Sequence, residues 1–209
     1  MKKVLIVEDQ RMPRENMERI LLDSGKYALS ASVNGADVAL AVCRREQIDL
    51  ILMDVCTAGN KDGIEAATEI KAEFPDIKII IVTSMVEVGY LKRAKEAKVD
   101  SFWYKDISPE KLIDVIEETM AGEHIFPDAP PTVEIGMAKS TEFTKTELKV
   151  LRHLLRGLSY TRIAAEMGCE MSTVKFHVSN MLQKTGLENK LQLALAVSDV
   201  KLIADLAEE

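Results

Sequence analysis

Cysteine is scarce: Cys43, Cys56 and Cys169 are the only three among 209 residues. They lie far apart with no CxxC pair, so neither a disulfide framework nor a zinc site is indicated. Long hydrophobic runs are missing too. Ile77 to Val82, among the longest, is interrupted by Lys78 and is far too short to span a bilayer, so no membrane partner is expected. The opening MKKVLIVED has too few apolar residues for a secretory core and reads as the first strand of a cytoplasmic protein. Glycine is absent from VEDQRMPREN, directly after that strand, which argues against a glycine-rich phosphate cradle. What remains is a balance of 47% hydrophobic and 29% charged residues, that of a soluble globular protein.

Charge is unevenly spread. Residues 1–138 carry 17 Lys and Arg against 25 Asp and Glu, whereas 139–209 carry 10 against 9. An acidic front and a mildly basic back suggest two domains with different partners. The front alternates short aliphatic runs with amphipathic stretches. Strands are predicted at 3–7, 28–33, 49–53, 77–82 and 101–104, and helices near 13–23, 35–45, 63–73, 86–97 and 109–121. Asn34 reads as the start signal of the second helix, and Ser108 with Pro109 and Glu110 as that of the fifth. Five βα units imply a doubly wound, five-stranded parallel α/β sheet with helices on both faces. Residues 122–141 hold three prolines and two glycines without periodicity and read as a linker. The tail is helical near 144–156, 159–167, 171–184 and 189–205. The expected domains are therefore 1–121 and 142–209.

Right-handed crossovers place every strand's C-terminal end on one edge, where such sheets carry their sites. Glu8 and Asp9 follow the first strand, Asp54 ends the third, Thr83 the fourth and Lys105 the fifth. Three carboxylates at close range repel one another unless a hard cation such as Mg²⁺ binds. A metal beside one carboxylate neutralises incoming phosphate oxygens, and a lysine pairs with another. The nucleophile would be a carboxylate, giving an acyl phosphate, with Thr83 donating a hydrogen bond to the new group.

In this order of acid pair, central aspartate, hydroxyl and lysine, residues 2–121 resemble the flavodoxin-like receiver domain of two-component response regulators. The resemblance implies that Asp54 is the phosphoacceptor, that Glu8 and Asp9 hold Mg²⁺, and that Lys105 contacts the phosphoryl group. It also implies that Thr83 is the switch hydroxyl and Phe102 the switch aromatic. The family's metal takes the backbone carbonyl two residues after the acid, here Cys56. The loop DVCTAGNKDG lacks the family's usual Met-Pro and has one residue more before Asp62-Gly63, so weaker metal affinity and a more mobile loop are expected.

In the tail, Leu148, Val150, Leu151, Leu154 and Leu155 form one helix face and Ile163, Ala164 and Met167 a shorter one. STVKFHVSNMLQK then turns Val174, Val178, Met181 and Leu182 inward and Lys175, Phe176 and Ser179 elsewhere. Two short helices around a glycine turn, the second with a mixed polar outer face, make a helix-turn-helix pattern in an all-α domain. TVKFHVSNMLQKTGL and GLSYTRIA resemble the LuxR-type DNA-binding domain, so the whole chain is similar to NarL/FixJ-type response regulators. By that match Lys175 and Phe176 reach into the major groove of double-stranded DNA with Ser179 nearby, and Lys184 and Thr161 hold phosphates. Departures are Glu170 in place of a capping serine, Thr146 in place of an arginine, and the uncharged Ser179. Each weakens the electrostatic footprint. Leu191, Leu195, Val197, Ile203 and Leu206 read as an apolar stripe for a homodimer.

The expected function is a transcription regulator controlled by a sensor histidine kinase, with no chemistry beyond that on its own Asp54. One alternative is a regulator whose receiver no longer accepts phosphate and serves as a dimerisation scaffold. Another is a hydrolase working through an aspartyl phosphate, disfavoured by the missing glycine loop.

Overall fold

The computed structural model describes residues 1–200 and 202, apart from 60, 106, 107, 109 and 110. Two compact units emerge, one built from Met1–Ser84 and Val88–Pro130, the other containing Pro131 onwards. The first is a parallel sheet of β1 (Lys2–Val7), β2 (Tyr27–Val33), β3 (Leu50–Met53), β4 (Lys78–Thr83) and β5 (Ser101–Tyr104), in the order β2-β1-β3-β4-β5. The three central strands are buried on both faces: Val4 to Val7, Leu50 to Met53 and Ile79 to Val82 are all fully inaccessible. This is why their sequences run continuously apolar instead of alternating. At about 1.5–3 kcal/mol for each large aliphatic side chain buried, those strands dominate the unit's stability.

Helices α1 (Arg11–Ser24), α2 (Ala39–Arg45), α3 (Gly63–Glu73), α4 (Val88–Glu96) and α5 (Leu112–Ala121) fill the crossovers. Met17 and Leu21 of α1 join Leu112, Val115 and Ile116 of α5 in one core layer over Val4, Ile6, Leu52 and Ile80. Helix α3 packs between α2 and α4. Asn34 does not cap the second helix; Gly35 stands at the start of the short turn Ala36–Val38 that precedes α2. Ser108 does not cap α5 either, which has Lys111 at its N-cap position. Ser108 folds back on β5, its hydroxyl accepting from the Tyr104 N–H at 3.1 Å, while Pro109 and Glu110 lie outside the described residues.

The stretch expected as a plain linker carries structure at both ends. Ile125 adds to the open edge of β5: its carbonyl accepts from the Phe102 N–H at 2.8 Å, and its N–H donates to Ser101 Oγ at 3.0 Å. Further on, β6 (Glu134–Ile135) and β7 (Ala138–Lys139) pair antiparallel, and the Met137 N–H donates to the Thr185 carbonyl. Proline-rich composition hid both, because backbone pairing of two or three residues leaves no periodic signal.

The second unit is otherwise helical: α6 (Lys145–Leu155), α7 (Tyr160–Met167), α8 (Met171–Thr185) and α9 (Lys190–Asp199). Thr144 and Glu147 close α6 with a reciprocal capping box, Ser159 caps α7 and Asn189 caps α9. Val150, Leu151, Leu154, Ile163, Val174, Val178, Met181, Leu193 and Val197 form the core. Among the described residues no helix is long and apolar enough to cross a membrane.

Candidate functional site

Parallel strands bring the expected acids and lysine to one edge. Glu8 leaves β1 with its N–H on the Val33 carbonyl, and Asp54 leaves β3 with its N–H on the Val7 carbonyl. Lys105 leaves β5 with its N–H on the Thr83 carbonyl at 2.8 Å, tying the end of β5 to the end of β4. Glu8, Asp54, Thr83 and Lys105 are all buried, while Asp9 is exposed.

The Lys105 ammonium bridges the two buried acids, with Asp54 Oδ2 at 2.9 Å and Glu8 Oε2 also in contact. Burial alone would lower the lysine's pKa, but the charges of Asp54 and Glu8 outweigh it and hold Lys105 above its ordinary value. Glu8 is pushed up, first by burial and then by Asp54, with Lys105 only partly compensating. Two buried carboxylates against one ammonium leave an excess of negative charge in low dielectric, and the exposed Asp9 adds to it at the rim.

Oxygen atoms from Glu8, Asp9 and Asp54 lie within 4.8 Å of one another. Asp54 Oδ1 is buried with no hydrogen-bond partner. An orphaned carboxylate oxygen costs free energy unless a proton donor or cation meets it. The donor set, all oxygen and partly open through Asp9, suits a hard divalent cation such as Mg²⁺ that keeps several waters.

The loop after Asp54 is built around close approach. A Cβ at Gly63 would stand 1.9 Å from the Asp54 carbonyl oxygen, so only glycine fits where α3 begins. Asp62 caps α3 through Ile64 N–H and Glu65 N–H, and its other carboxylate oxygen meets Arg93 of α4. Cys56 is half-buried, and burial together with the Asp54 charge pushes its thiol up to about 12. Its thiolate is thus disfavoured, leaving its backbone as the part relevant to the site. Two bonds tie the loop to the turn after β2: Thr57 Oγ1 accepts from the Ala36 N–H, and the Ala58 N–H donates to the Asn34 carbonyl.

Phe102 is buried on β5, with Tyr104 beside it at 4.9 Å between ring centroids. Sequence reasoning overlooked Tyr104. It is also buried, its hydroxyl lacks a partner, and it lies on the same face of the strand next to Lys105. The period of two along β5 was the available signal.

In the second unit, Lys175, Phe176 and Ser179 are exposed on α8 opposite Val174, Val178 and Met181. Phe176 is 61% exposed, unusual for a large aromatic without a ligand. Thr161 is exposed near the start of α7. Glu170 stands at the start of α8 and makes no side-chain cap bond. Lys184 departs from expectation. Its ammonium lies 2.9 and 2.7 Å from the two oxygens of buried Glu147 and 2.9 Å from the Glu142 carbonyl. Charge neutralisation inside the fold occupies it, and a phosphate would have to compete. Val197 also departs, being core, whereas Leu191 and Leu195 are exposed one turn apart. The four-residue step keeps Leu191 and Leu195 on one face but turns Val197 away. Ile203 and Leu206 lie outside the described residues.

Comparison with known proteins supplies context for both units. Residues 4–117 match the model of the response regulator receiver domain, and residues 141–197 match that of the bacterial regulatory proteins of the luxR family. Response regulator protein VraR of Staphylococcus aureus is 32% identical over 206 residues, covering 96% of this chain and 98% of that protein. RcsB of Salmonella enterica serovar Typhimurium, solved bound to promoter rprA with the phosphomimetic BeF3-, shares the fold. Its TM-score is 0.57 at 20% identity, covering 96% of this chain and 100% of RcsB. A LuxR-family response regulator from Aurantimonas sp. SI85-9A1 aligns with TM-score 0.55 at 27% identity, covering 59% of this chain and 87% of that one.

Proposed function

The chain belongs to the two-component response regulators with a LuxR-type DNA-binding domain, and on that premise we propose that phosphorylation of Asp54 by a sensor histidine kinase controls its binding to promoter DNA. The observation that carries this reading is the buried Asp54, with one oxygen on Lys105 and the other without a partner. A carboxylate so placed is prepared to gain a group on its free side.

An Asp54 oxygen attacks the phosphorus of the donor's phosphohistidine in line. The P–N bond breaks, the leaving nitrogen keeps the electron pair, and the phosphoryl group stays as an acyl phosphate. Glu8, Asp9, Asp54 and the Cys56 carbonyl would hold Mg²⁺, which when bound supplies charge neutralisation for the phosphoryl oxygens. Lys105 exchanges its bond to Asp54 for one to a phosphoryl oxygen. Thr83 then donates its hydroxyl to the phosphoryl group, and Phe102, on the same face of the sheet by register, adjusts its packing. Chemistry is confined to the chain's own Asp54, so the protein is a switch and not an enzyme acting on a separate substrate.

On the second unit Lys175 and Phe176 read base edges in the major groove with Ser179 nearby, and Thr161 approaches the backbone. A cytoplasmic homodimer uses the exposed Leu191 and Leu195 face. RcsB, described in its DNA-bound form with a phosphomimetic, supports the pairing of these two events as an analogy of fold. Genome-wide mapping of bound DNA, with and without the phosphoryl donor, tests the reading. Occupancy should concentrate at promoters and rise with the donor; occupancy indifferent to the donor would favour a receiver acting only as a dimerisation scaffold.

A further inference from the structure

The nine residues from Asp54 to Asp62 lack the expected proline, yet the turn after β2 holds them at Thr57 and Ala58. Thr57 Oγ1 accepts a hydrogen bond from the Ala36 N–H at 2.9 Å. The Ala58 N–H donates to the Asn34 carbonyl at 3.1 Å. Gly35 makes this approach possible, since a Cβ there would stand 2.7 Å from the Ala58 carbonyl oxygen. Asn34 is held in turn: its Oδ1 accepts from the Arg14 guanidinium at 2.5 Å, and the same nitrogen donates to the Glu8 carbonyl at 2.9 Å. A continuous set of bonds therefore runs from the backbone of Glu8 through Arg14 and Asn34 to the loop carrying Cys56.

We propose that Arg14, Asn34 and Thr57 form a latch that positions the loop after Asp54 for Mg²⁺ binding, replacing the restriction a proline would impose. Proline limits a loop by narrowing its unfolded ensemble. The latch limits it in the folded state, by giving the Thr57 hydroxyl and the Ala58 N–H fixed partners on the turn after β2. The Cys56 carbonyl, one residue before Thr57, is then oriented before the metal arrives and need not be ordered at the moment of binding. Arg14 bonds the Asn34 side chain and the Glu8 carbonyl, and Thr57 bonds the Ala36 N–H. The three are not among the carboxylates of the metal cluster, so they are positioning residues. This inference rests on the reading of Glu8, Asp9 and Asp54 as a metal site.

Thr57 is the cleanest lever because it carries no charge. Thr57→Val keeps the shape and removes the acceptor, leaving the Ala36 N–H unpaired; Thr57→Ser keeps the acceptor. The full-length chain is titrated with MgCl₂ and followed by amide NMR at Gly63 and its neighbours, with Asp54→Asn as the metal-site control. Thermal unfolding in chelator checks that each variant is folded at the titration temperature. Thr57→Val should bind Mg²⁺ about 3- to 10-fold more weakly, the effect of losing roughly one net hydrogen bond, and Thr57→Ser should bind near the native level. Equal affinity in Thr57→Val and the native chain would overturn the latch, and so would Thr57→Ser binding as weakly as Thr57→Val. If the native chain and Asp54→Asn show the same response to Mg²⁺, the metal reading itself fails and the latch falls with it.

Discussion

Replacing Lys184 with methionine separates a structural lysine from a phosphate-binding one. Lys184 meets both oxygens of Glu147, whose side chain is 3% exposed, and also the Glu142 carbonyl. Removing one partner of a fully buried pair costs about 3–5 kcal/mol, because the remaining charge is left uncompensated. Here the cost is smaller. The Lys184 side chain is 31% exposed, and Glu147 keeps its bond from the Thr144 N–H at 2.7 Å. A loss of about 2 kcal/mol is expected, and in a unit of this size that lowers the unfolding midpoint by roughly 8–16 °C. The pH dependence follows from Glu147. Burial would raise its pKa, but Lys184 and Thr144 outweigh burial and hold it below the ordinary value. A depressed folded-state pKa stabilises above the unfolded glutamate value of about 4.3, and that contribution is lost as pH falls through the folded value. In Lys184→Met this contribution shrinks, so stability should fall near neutrality and change less on acidification. Calorimetry of the full chain between pH 3 and pH 7 is the assay. Operator binding should keep its salt slope once measured well below the new midpoint. An unchanged midpoint together with a slope reduced by about one would instead make Lys184 a phosphate contact and refute the reasoning.

Lys175→Ala should weaken binding to the specific operator by about 1–3 kcal/mol with little loss on random DNA; a gel-shift series showing equal operator affinity would remove Lys175 from the base-reading face. The DNA-bound form should be a dimer on two half-sites about one helical turn apart. Leu191→Glu combined with Leu195→Glu should then abolish cooperativity while sparing single half-site binding; a native monomer binding one half-site as tightly as the full operator would count against the dimer. Gly63→Ala forces a Cβ into the Asp54 carbonyl, so it should destabilise the first unit by about 1–3 kcal/mol and slow labelling by a small phosphodonor. Native stability and labelling in that variant would mean that the approach of α3 to Asp54 is not required.

The sheet was legible because its central strands are continuously apolar and each ends in a polar residue that a core would not tolerate. Four strand ends, read as parallel, are enough to place Glu8, Asp54, Thr83 and Lys105 on one edge. The helix-turn-helix was legible from the spacing of Val174, Val178 and Met181. What escaped were interactions that depend on distance in space. Arg14 lies on α1 and Asn34 and Thr57 on two separate loops, and their association leaves no periodic trace. Lys184 looked like a free cation because its partner Glu147 lies on another helix and carries the outward look of a capping residue. Val197 was assigned to the Leu191 face by composition, although helical phase turns it into the core.

The central claim is that Asp54 is a working phosphoacceptor despite the altered loop behind it. Intact-protein mass spectrometry after incubation with a small phosphodonor and Mg²⁺ tests it directly. The native chain should gain a single phosphoryl group, lost on prolonged incubation at alkaline pH as an acyl phosphate hydrolyses, and Asp54→Asn should gain none. No gain at high Mg²⁺, or an equal gain in Asp54→Asn, would contradict it.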